Sequence, residues 1–237
     1  MLLESKNLTK RFGSKTAVDA VSLSLEAGHV YALLGPNGSG KTTWMKMAAG
    51  LIKPTDGVVN FNGKPVDVES RKSIAYVSTE PYFYSWMKIG DAGKYYADFF
   101  EDFSDKEYSK MLDAMQLSKT LKISALSSGM TAKMKVALTM ARDAKVWMLD
   151  EPFNGIDLLA RDDIRECILE RTGPGKLLLL SSHLVEEMEA IADRAVFIRA
   201  GKLVEVRDLK EMLETDGVSM ADRYRAIYGR TEENEHA

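Results

Sequence analysis

A glycine-rich loop contains the first residues whose types and spacing could bind a charged ligand. It runs through eight consecutive positions: Gly35, Pro36, Asn37, Gly38, Ser39, Gly40, Lys41 and Thr42. Glycines allow successive backbone N–H groups to converge on phosphates, and the start of a helix adds partial positive charge. A lysine here can reach the β- and γ-phosphates, and the following hydroxyl can ligate Mg²⁺. An apolar segment precedes the loop and a helical pattern follows it, so a chance glycine turn is the weaker interpretation.

Two acidic residues, Asp150 and Glu151, follow a second apolar segment, Val146–Leu149. In open parallel sheets, ligands bind at the carboxyl ends of the strands. We expect Asp150 to hold Mg²⁺ through water and Glu151 to orient or deprotonate an attacking water. Taken alone, such a pair usually begins a solvated loop, but the phosphate-binding loop upstream favours the chemical interpretation.

A histidine, His183, occupies the same kind of position, because it follows the apolar segment Leu177–Leu180 and two serines. A lone histidine is more often a surface or capping residue. Beside a γ-phosphate it could instead hydrogen-bond to the transferring group or to the lytic water. Both interpretations stay open at this point.

A second candidate anion site lies at Leu126–Met130, where two serines and a glycine precede the helix-like run Thr131–Asp143. Small residues and a serine at a helix N-terminus suit an anion. Two such sites for one nucleotide are hard to explain within a monomer. They are explained if two chains pair head to tail, so that each chain caps the ATP that the other one binds.

The candidate residues must be positioned by strands and helices, which the hydrophobic pattern of the sequence predicts. Alternating apolar and polar residues predict an antiparallel sheet containing Leu2–Leu8 and Ala20–Leu25, with a hairpin at Asn62 and Gly63. Continuous apolar segments predict strands buried on both faces. These core segments are Val30–Leu34, Val146–Leu149, Leu177–Leu180 and Val196–Ile198, and Ile74–Ser78 is predicted to be another short strand.

A helical pattern dominates residues 82–142, which are rich in aromatic and methionine side chains. Between Met87 and Met115 many of them recur every three to four residues, which predicts a helix face that belongs to the core. The chain beyond Arg207 is polar and prone to form helices.

Composition limits the functional classes. The 237 residues suit one large α/β domain, and the formal net charge of -3 provides no basic field for nucleic acid. The single cysteine, Cys167, is consistent with a cytosolic chain. No apolar segment approaches the roughly 18 residues of a membrane span. If this chain acts at a membrane, we therefore expect it to act through a partner protein.

The order of phosphate-binding loop, Leu-Ser-x-Gly sequence, Asp-Glu pair and histidine resembles the nucleotide-binding subunits of ABC transporters, over residues 2–207 or so. The resemblance implies a P-loop NTPase (RecA-like) α/β core with an antiparallel β subdomain and an inserted α-helical subdomain. It implies an ATPase domain at residues 1–207, with the helical subdomain at about 82–142, and a polar tail at 208–237.

The resemblance also implies roles for single residues. Phe12 would stack on adenine, although a packed sheet residue is the alternative, and Asp157 would link two paired active sites. Lys41, Glu151 and His183 would be catalytic, while Thr42 and Asp150 would hold the metal. The full set of expected nucleotide contacts is Phe12, Gly35, Pro36, Asn37, Gly38, Ser39, Gly40, Lys41, Thr42, Thr43, Ser127, Ser128, Gly129 and Asp157.

The chain departs from the family pattern at two places. Thr79 stands where the family usually carries a glutamine that helps to ligate Mg²⁺, and Glu80 is a hypothetical substitute. Ser128 and Met130 replace the commonest signature residues. Ser128 keeps a small side chain, and Met130 resembles the variant of ABC-2-type exporters.

The function implied by this resemblance is ATP hydrolysis that energises transport through a separate transmembrane permease, at the cytoplasmic face of the membrane. ATP and Mg²⁺ would be the cofactors, and a second nucleotide-binding subunit, identical or not, would complete the sites. Export of a drug, peptide or polymer is favoured, and exposed Tyr82, Phe83 and Trp86 would border the groove for the membrane subunit. Alternatives are a soluble ABC-type ATPase and an ATP-binding regulatory module. A phosphate-loop kinase or GTPase would lack the signature.

Overall fold

Two β-sheets form the framework of the computed structural model, which describes residues 1–78, 80 and 83–229. The strands, in chain order, are β1 (Leu3–Phe12), β2 (Lys15–Leu25), β3 (Val30–Leu34), β4 (Asp56–Phe61), β5 (Lys64–Pro65), β6 (Ile74–Val77), β7 (Val146–Asp150), β8 (Leu177–Ser182), β9 (Arg194–Arg199) and β10 (Lys202–Asp208). The helices are α1 (Lys41–Ala48), α2 (Val68–Lys72), α3 (Ile89–Phe99), α4 (Asp105–Ala114), α5 (Ser128–Met140), α6 (Leu158–Arg171), α7 (Val185–Glu189), α8 (Leu209–Glu214) and α9 (Met220–Tyr228).

The smaller sheet is antiparallel, with the strand order β2-β1-β4-β5. Alternation of buried and exposed residues along β2 directs its apolar side chains to the core. The predicted hairpin joins β4 to β5 through Asn62 and Gly63, whose φ angles are 49° and 77°. Two consecutive positive φ angles suit an Asn-Gly turn, so the hairpin prediction is confirmed.

The larger sheet has the strand order β10-β9-β3-β8-β7-β6. The strands from β9 to β6 run parallel, and β10 is an antiparallel edge strand. Every residue of β7 and β8 is buried, as their continuous apolar sequences predict. Because these strands are parallel, the residues that follow β3, β7 and β8 meet at one edge of the sheet.

We use the name helical subdomain for helices α3, α4 and α5 and for residues 83–88, which precede them. The prediction that their aromatic face belongs to the core is only partly right. Tyr108 and Met111 are buried, but Tyr95 is 48% exposed and Phe99 is 66% exposed. Helix α3 buries Ile89, Ala92, Gly93 and Tyr96, which lie at positions i, i+3, i+4 and i+7. Tyr95 and Phe99 lie outside this buried stripe, on a side of the helix that is exposed to solvent.

The last two helices pack against the larger sheet. Met212, Met220 and Tyr228 belong to the same apolar cluster as the strands of that sheet. The Tyr228 hydroxyl bonds to the carbonyls of Leu34 and Ile198, at 3.2 and 2.9 Å. In the described ranges, no helix is long and apolar enough to cross a membrane.

Candidate active site

The glycine-rich loop joins β3 to α1 in a conformation that requires glycine. Gly40 has a φ angle of 106°, in the left-handed region that side chains disfavour. A Cβ atom there would lie 2.5 Å from the Ala17 carbonyl oxygen, and one on Gly35 would lie 2.3 Å from the Ile198 carbonyl oxygen. The loop is therefore pressed against the backbone behind it, while its other side lines a cavity of about 430 Å³.

The composition of this cavity fits a phosphorylated ligand. Its lining includes Asn37, Gly38 and the residues from Ser39 to Thr43. The Ser39 hydroxyl is buried and has no hydrogen-bond partner within the described part of the chain, so it remains available to an acceptor. Helix α1 begins at Lys41, so its first N–H groups lie at the loop and favour an anion.

The Lys41 ammonium is buried and lies between the loop and the acid pair. It donates to the Gly35 carbonyl at 2.7 Å and lies 3.3 Å from Oε1 of Glu151. The lysine is 5% exposed. A buried cation needs such partners, and a phosphate would supply stronger ones.

Three hydroxyl groups converge on the Asp150 carboxylate, which is 2% exposed. Thr42 and Ser181 donate to Oδ1 at 3.1 and 2.5 Å, and Tyr76 donates to Oδ2 at 3.0 Å. Burial, reinforced by the charge of Asp150, raises the pKa of Tyr76, so its phenol stays protonated at neutral pH. Tyr76 and Ser181 were missed in the sequence, where they look like ordinary residues of buried strands.

The chemistry of this donor set fits Mg²⁺, which prefers oxygen ligands and few protein side chains. Thr42 and Asp150 bring a hydroxyl and a carboxylate together beside the phosphate-binding loop. Among the residues with described positions, no group of three or more His, Cys, Asp or Glu side chains could bind a metal alone.

Glu151 lies between Lys41 and His183 and has an unusual backbone. Its φ angle is 49°, and its N–H group donates to the Ser181 hydroxyl at 2.9 Å. A left-handed non-glycine residue stores about 1–2 kcal/mol and persists only where its surroundings hold it. Its Oε2 lies 2.9 Å from Nδ1 of His183. With Glu151 ionised, the histidine donates this bond, which leaves its other ring nitrogen for a ligand.

Phe12 lies at the rim of the same cavity. The ring is 54% exposed, so the alternative that Phe12 is a packed sheet residue is wrong. The Lys10 ammonium lies 5.1 Å from the ring centroid. An exposed aromatic face beside a phosphate-binding loop is suited to stacking on a base.

The signature residues begin helix α5. The Ser127 hydroxyl accepts from the Met130 N–H at 3.2 Å, and the Ser128 hydroxyl donates to the Gly155 carbonyl at 3.0 Å. A Cβ atom on Gly129 would lie 3.3 Å from Oδ2 of Asp157, so the two loops are neighbours.

Asp157 caps helix α6. It accepts from the Ala160 N–H at 2.9 Å, and this bond lowers the pKa of Asp157. Ser127, Ser128, Gly129 and Asp157 are absent from the described lining of the cavity at the phosphate-binding loop. Ser128 instead lines an adjoining cavity of about 490 Å³ that also reaches Asp150 and Glu151.

The segment after β6 is described in part, and Thr79 and Tyr82 lie outside the described residues. The Glu80 carboxylate lies 3.2 Å from the Lys46 ammonium, and its side chain is 73% exposed. The Lys135 ammonium donates to the carbonyls of Ser78 and Glu80, and burial lowers the pKa of Lys135. Glu80 was the hypothetical substitute for the missing glutamine. In the structure its carboxylate lies at the surface and pairs with Lys46.

Exposed aromatic residues cluster on the helical subdomain. Tyr84 and Trp86 are 69% and 70% exposed and stack with their ring centroids 5.7 Å apart. Tyr95 and Phe99 on α3 contact each other at 4.6 Å, and Phe83 contacts Tyr95 at 6.4 Å. Phe83, which was predicted to be exposed, is half-buried and packs against the core. We call Tyr84, Trp86, Tyr95 and Phe99 the outer aromatic surface.

Comparisons with known proteins agree with this geometry. The sequence model of the ABC transporter family matches residues 18–154. The chain is 31% identical to the lantibiotic transport ATP-binding protein SrtF of Streptococcus pyogenes over 205 residues, which are 86% of this chain and 89% of that protein. It is 30% identical to the Nod factor export ATP-binding protein I of Burkholderia lata, over 85% of this chain and 69% of that protein.

A solved structure gives the same result for the fold. The structure of an ATP-binding subunit of an ABC transporter superposes with a TM-score of 0.82 at 26% identity, over 96% of this chain and 99% of the other. A dimeric ABC transporter cassette, at 18% identity and a TM-score of 0.77, shares the fold. The order of strands and helices around the site is therefore that of a known class of ATPase.

Proposed function

This chain belongs to the ABC transporter family as an ATP-binding, ATP-hydrolysing subunit, and we propose that it powers the export of a drug, a peptide or a polymer through a separate membrane subunit. The direction is supported by a relative whose name states Nod factor export, and the cargo class by one whose name states lantibiotic transport. Met130 in the signature also resembles ABC-2-type exporters.

One observation carries the assignment of the site: Lys41, Glu151 and His183 form a continuous chain of contacts beside the phosphate-binding loop. The loop N–H groups bind the phosphates of ATP, and the Lys41 ammonium turns from the Gly35 carbonyl to the β- and γ-phosphates. Phe12 stacks on the adenine. These contacts hold the triphosphate in one orientation before any bond breaks.

Glu151 orients and deprotonates the attacking water, and His183 holds the Glu151 carboxylate in place. Thr42 and Asp150 would hold Mg²⁺, which when bound would neutralise charge on the phosphate oxygens. Ser181 fixes the positions of Asp150 and Glu151 relative to each other, because its hydroxyl donates to the Asp150 carboxylate and accepts from the Glu151 N–H.

A second nucleotide-binding chain completes each site. Ser127, Ser128 and Gly129 lie at the start of α5 and are not part of the described lining of their own chain's phosphate-loop cavity. Their small side chains and the helix N-terminus suit the γ-phosphate of ATP bound to the partner. Asp157, next to Gly129, lies where the two sites would communicate.

The membrane subunit binds at the outer aromatic surface. Through this contact the chain is held at the membrane, at its cytoplasmic face. Exposed aromatic side chains are typical of the centre of a protein interface. Tyr84 and Trp86 present the most exposed rings of this surface. ATP-driven closure of the two chains is thereby passed to the membrane subunit.

The decisive experiment compares Glu151→Gln with Glu166→Gln, an exposed glutamate on α6. We expect Glu151→Gln to lower turnover by about 100-fold or more, because the general base is lost. ATP should still bind, and light scattering should detect a dimer that requires ATP. Glu166→Gln should resemble the wild-type chain.

Normal turnover in Glu151→Gln would refute the assignment of the base. A wild-type chain that binds ATP without hydrolysing it would instead identify an ATP-binding regulatory module.

A further inference from the structure

The Asp150 carboxylate is held from two sides by groups on different elements. Oδ1 accepts from Thr42 on α1 and from Ser181 on β8. Oδ2 accepts from the Tyr76 hydroxyl on β6, at 3.0 Å. In the part of the chain that the structure describes, Tyr76 is the donor that reaches this second oxygen.

The position of Tyr76 follows from the pairing of two parallel strands. Tyr76 lies opposite Met148 on β7, two residues before Asp150. A tyrosine side chain is long enough to reach forward from this position to the carboxyl end of the neighbouring strand. The ring is half-buried, and its charged and polar neighbours include Asp150, Ser78 and Glu80.

A bond to the second oxygen has a specific effect on a carboxylate. The terminal torsion of an aspartate is broad, so donors to one oxygen alone leave the other free to swing. With Oδ1 shared by two hydroxyls, the orientation of the carboxylate plane depends on the bond to Oδ2. Thr42, the other proposed metal-holding residue, contacts the same carboxylate and is affected by that orientation.

We propose that Tyr76 is a positioning residue for ATP hydrolysis, which orients the Asp150 carboxylate for Mg²⁺ through its hydrogen bond to Oδ2. This inference rests on the proposed function of Asp150. The chain carries Thr79 where the resemblance implies a metal-binding glutamine. A fixed carboxylate is therefore all the more important for the metal site.

The test compares Tyr76→Phe with Tyr108→Phe. Both variants keep the ring and lose one hydroxyl, and Tyr108 donates at 3.0 Å to the Ile89 carbonyl in the helical subdomain. The affinity for a fluorescent ATP analogue is measured with Mg²⁺ and with EDTA, together with turnover at varied Mg²⁺ and the melting temperature of each variant.

We expect Tyr76→Phe to bind the analogue in EDTA within about twofold of the wild-type affinity. The gain in affinity on adding Mg²⁺ should shrink by about tenfold, as for the loss of a hydrogen bond to a charged group. The Mg²⁺ concentration that gives half-maximal turnover should rise by a similar factor. Tyr108→Phe should keep the wild-type Mg²⁺ response.

Two outcomes would overturn the inference. One is a wild-type Mg²⁺ response in Tyr76→Phe, and the other is an equal loss of affinity with Mg²⁺ and with EDTA, which would indicate a purely structural role. The binding measurements decide the matter without turnover. A wild-type chain with no ATPase activity would contradict the proposed function and leave this comparison valid.

Discussion

At the scale of single residues, the site depends on how closely the phosphate-binding loop approaches the backbone behind it. Gly40 combines a left-handed φ angle with a Cβ position that the Ala17 carbonyl occupies. A side chain there would be strained in torsion and would also collide with a rigid neighbour. The loop would have to move, and with it the N–H groups that we propose to bind phosphate.

We therefore expect Gly40→Ala to abolish detectable ATP binding and to destabilise the fold by roughly 2–4 kcal/mol, the sum of torsional strain and overpacking. Gly28→Ala is the matched control, because Gly28 also has a positive φ angle, 87°, but no atom within 4 Å of the added Cβ. Gly28→Ala should be destabilised by about 1 kcal/mol and bind ATP normally. Urea denaturation and ATP titration measure both effects, and tight binding by Gly40→Ala would contradict this account.

At the scale of secondary-structure elements, the sequence predicted most of what positions the site. The bounds of β3 were predicted to the residue, because the apolar run is too short for a typical helix and ends at the glycine-rich loop, which favours a strand. Helix α5 begins three residues earlier than the predicted run from Thr131, since the Ser127 hydroxyl caps it at Ser128. The local sequence was therefore enough to predict that these elements exist and approximately where they begin.

Contacts between elements were not predictable in the same way. The bond from Tyr76 to Asp150 depends on the register of β6 against β7, which one strand's sequence does not determine. The exposure of Tyr95 and Phe99 depends on which face of α3 meets the core. The docking of α9 likewise depends on distant partners, since Tyr228 bonds to carbonyls of β3 and β9.

The docking of α9 on β10 should depend on pH. Arg223 on α9 makes two hydrogen bonds to the Glu205 carboxylate, at 2.5 and 2.8 Å, and this contact lowers the pKa of Glu205 below its usual 4.5. A lowered carboxylate pKa contributes stability above the usual value, and that stability is lost as the pH falls through the folded value.

Glu205→Gln should therefore be less stable than the wild-type chain by about 1 kcal/mol at neutral pH, and the difference should shrink as the pH falls below 4.5. Denaturation at a series of pH values measures this. Glu214→Gln removes a carboxylate from an exposed i,i+4 pair on α8 and should show almost no difference at either pH. A pH-independent loss in Glu205→Gln would contradict the role of the ion pair.

At the scale of the whole molecule, the proposed catalytic residues and the proposed surface for the membrane subunit belong to different parts of the fold. The phosphate-binding loop, Asp150 and Glu151 lie at the carboxyl edge of the larger sheet, whereas the outer aromatic surface lies on the helical subdomain. This separation allows one function to be removed while the other is kept.

Trp86→Ala should leave the ATPase activity of the purified chain unchanged and weaken binding to the membrane subunit by about 30-fold, as for an aromatic interface anchor. Co-purification and a binding titration measure the effect. Leu213→Ala, at a 60% exposed apolar residue on α8, should preserve binding. Undiminished binding by Trp86→Ala would place the membrane subunit elsewhere.

The shared cation at Lys41 has a consequence for the timing of the reaction. One ammonium contacts both the loop carbonyl of Gly35 and the Glu151 carboxylate. We expect an arriving triphosphate to compete with Glu151 for this single positive charge. Binding of ATP would then free the Glu151 carboxylate, so the proposed base would stay paired with Lys41 until a substrate is present.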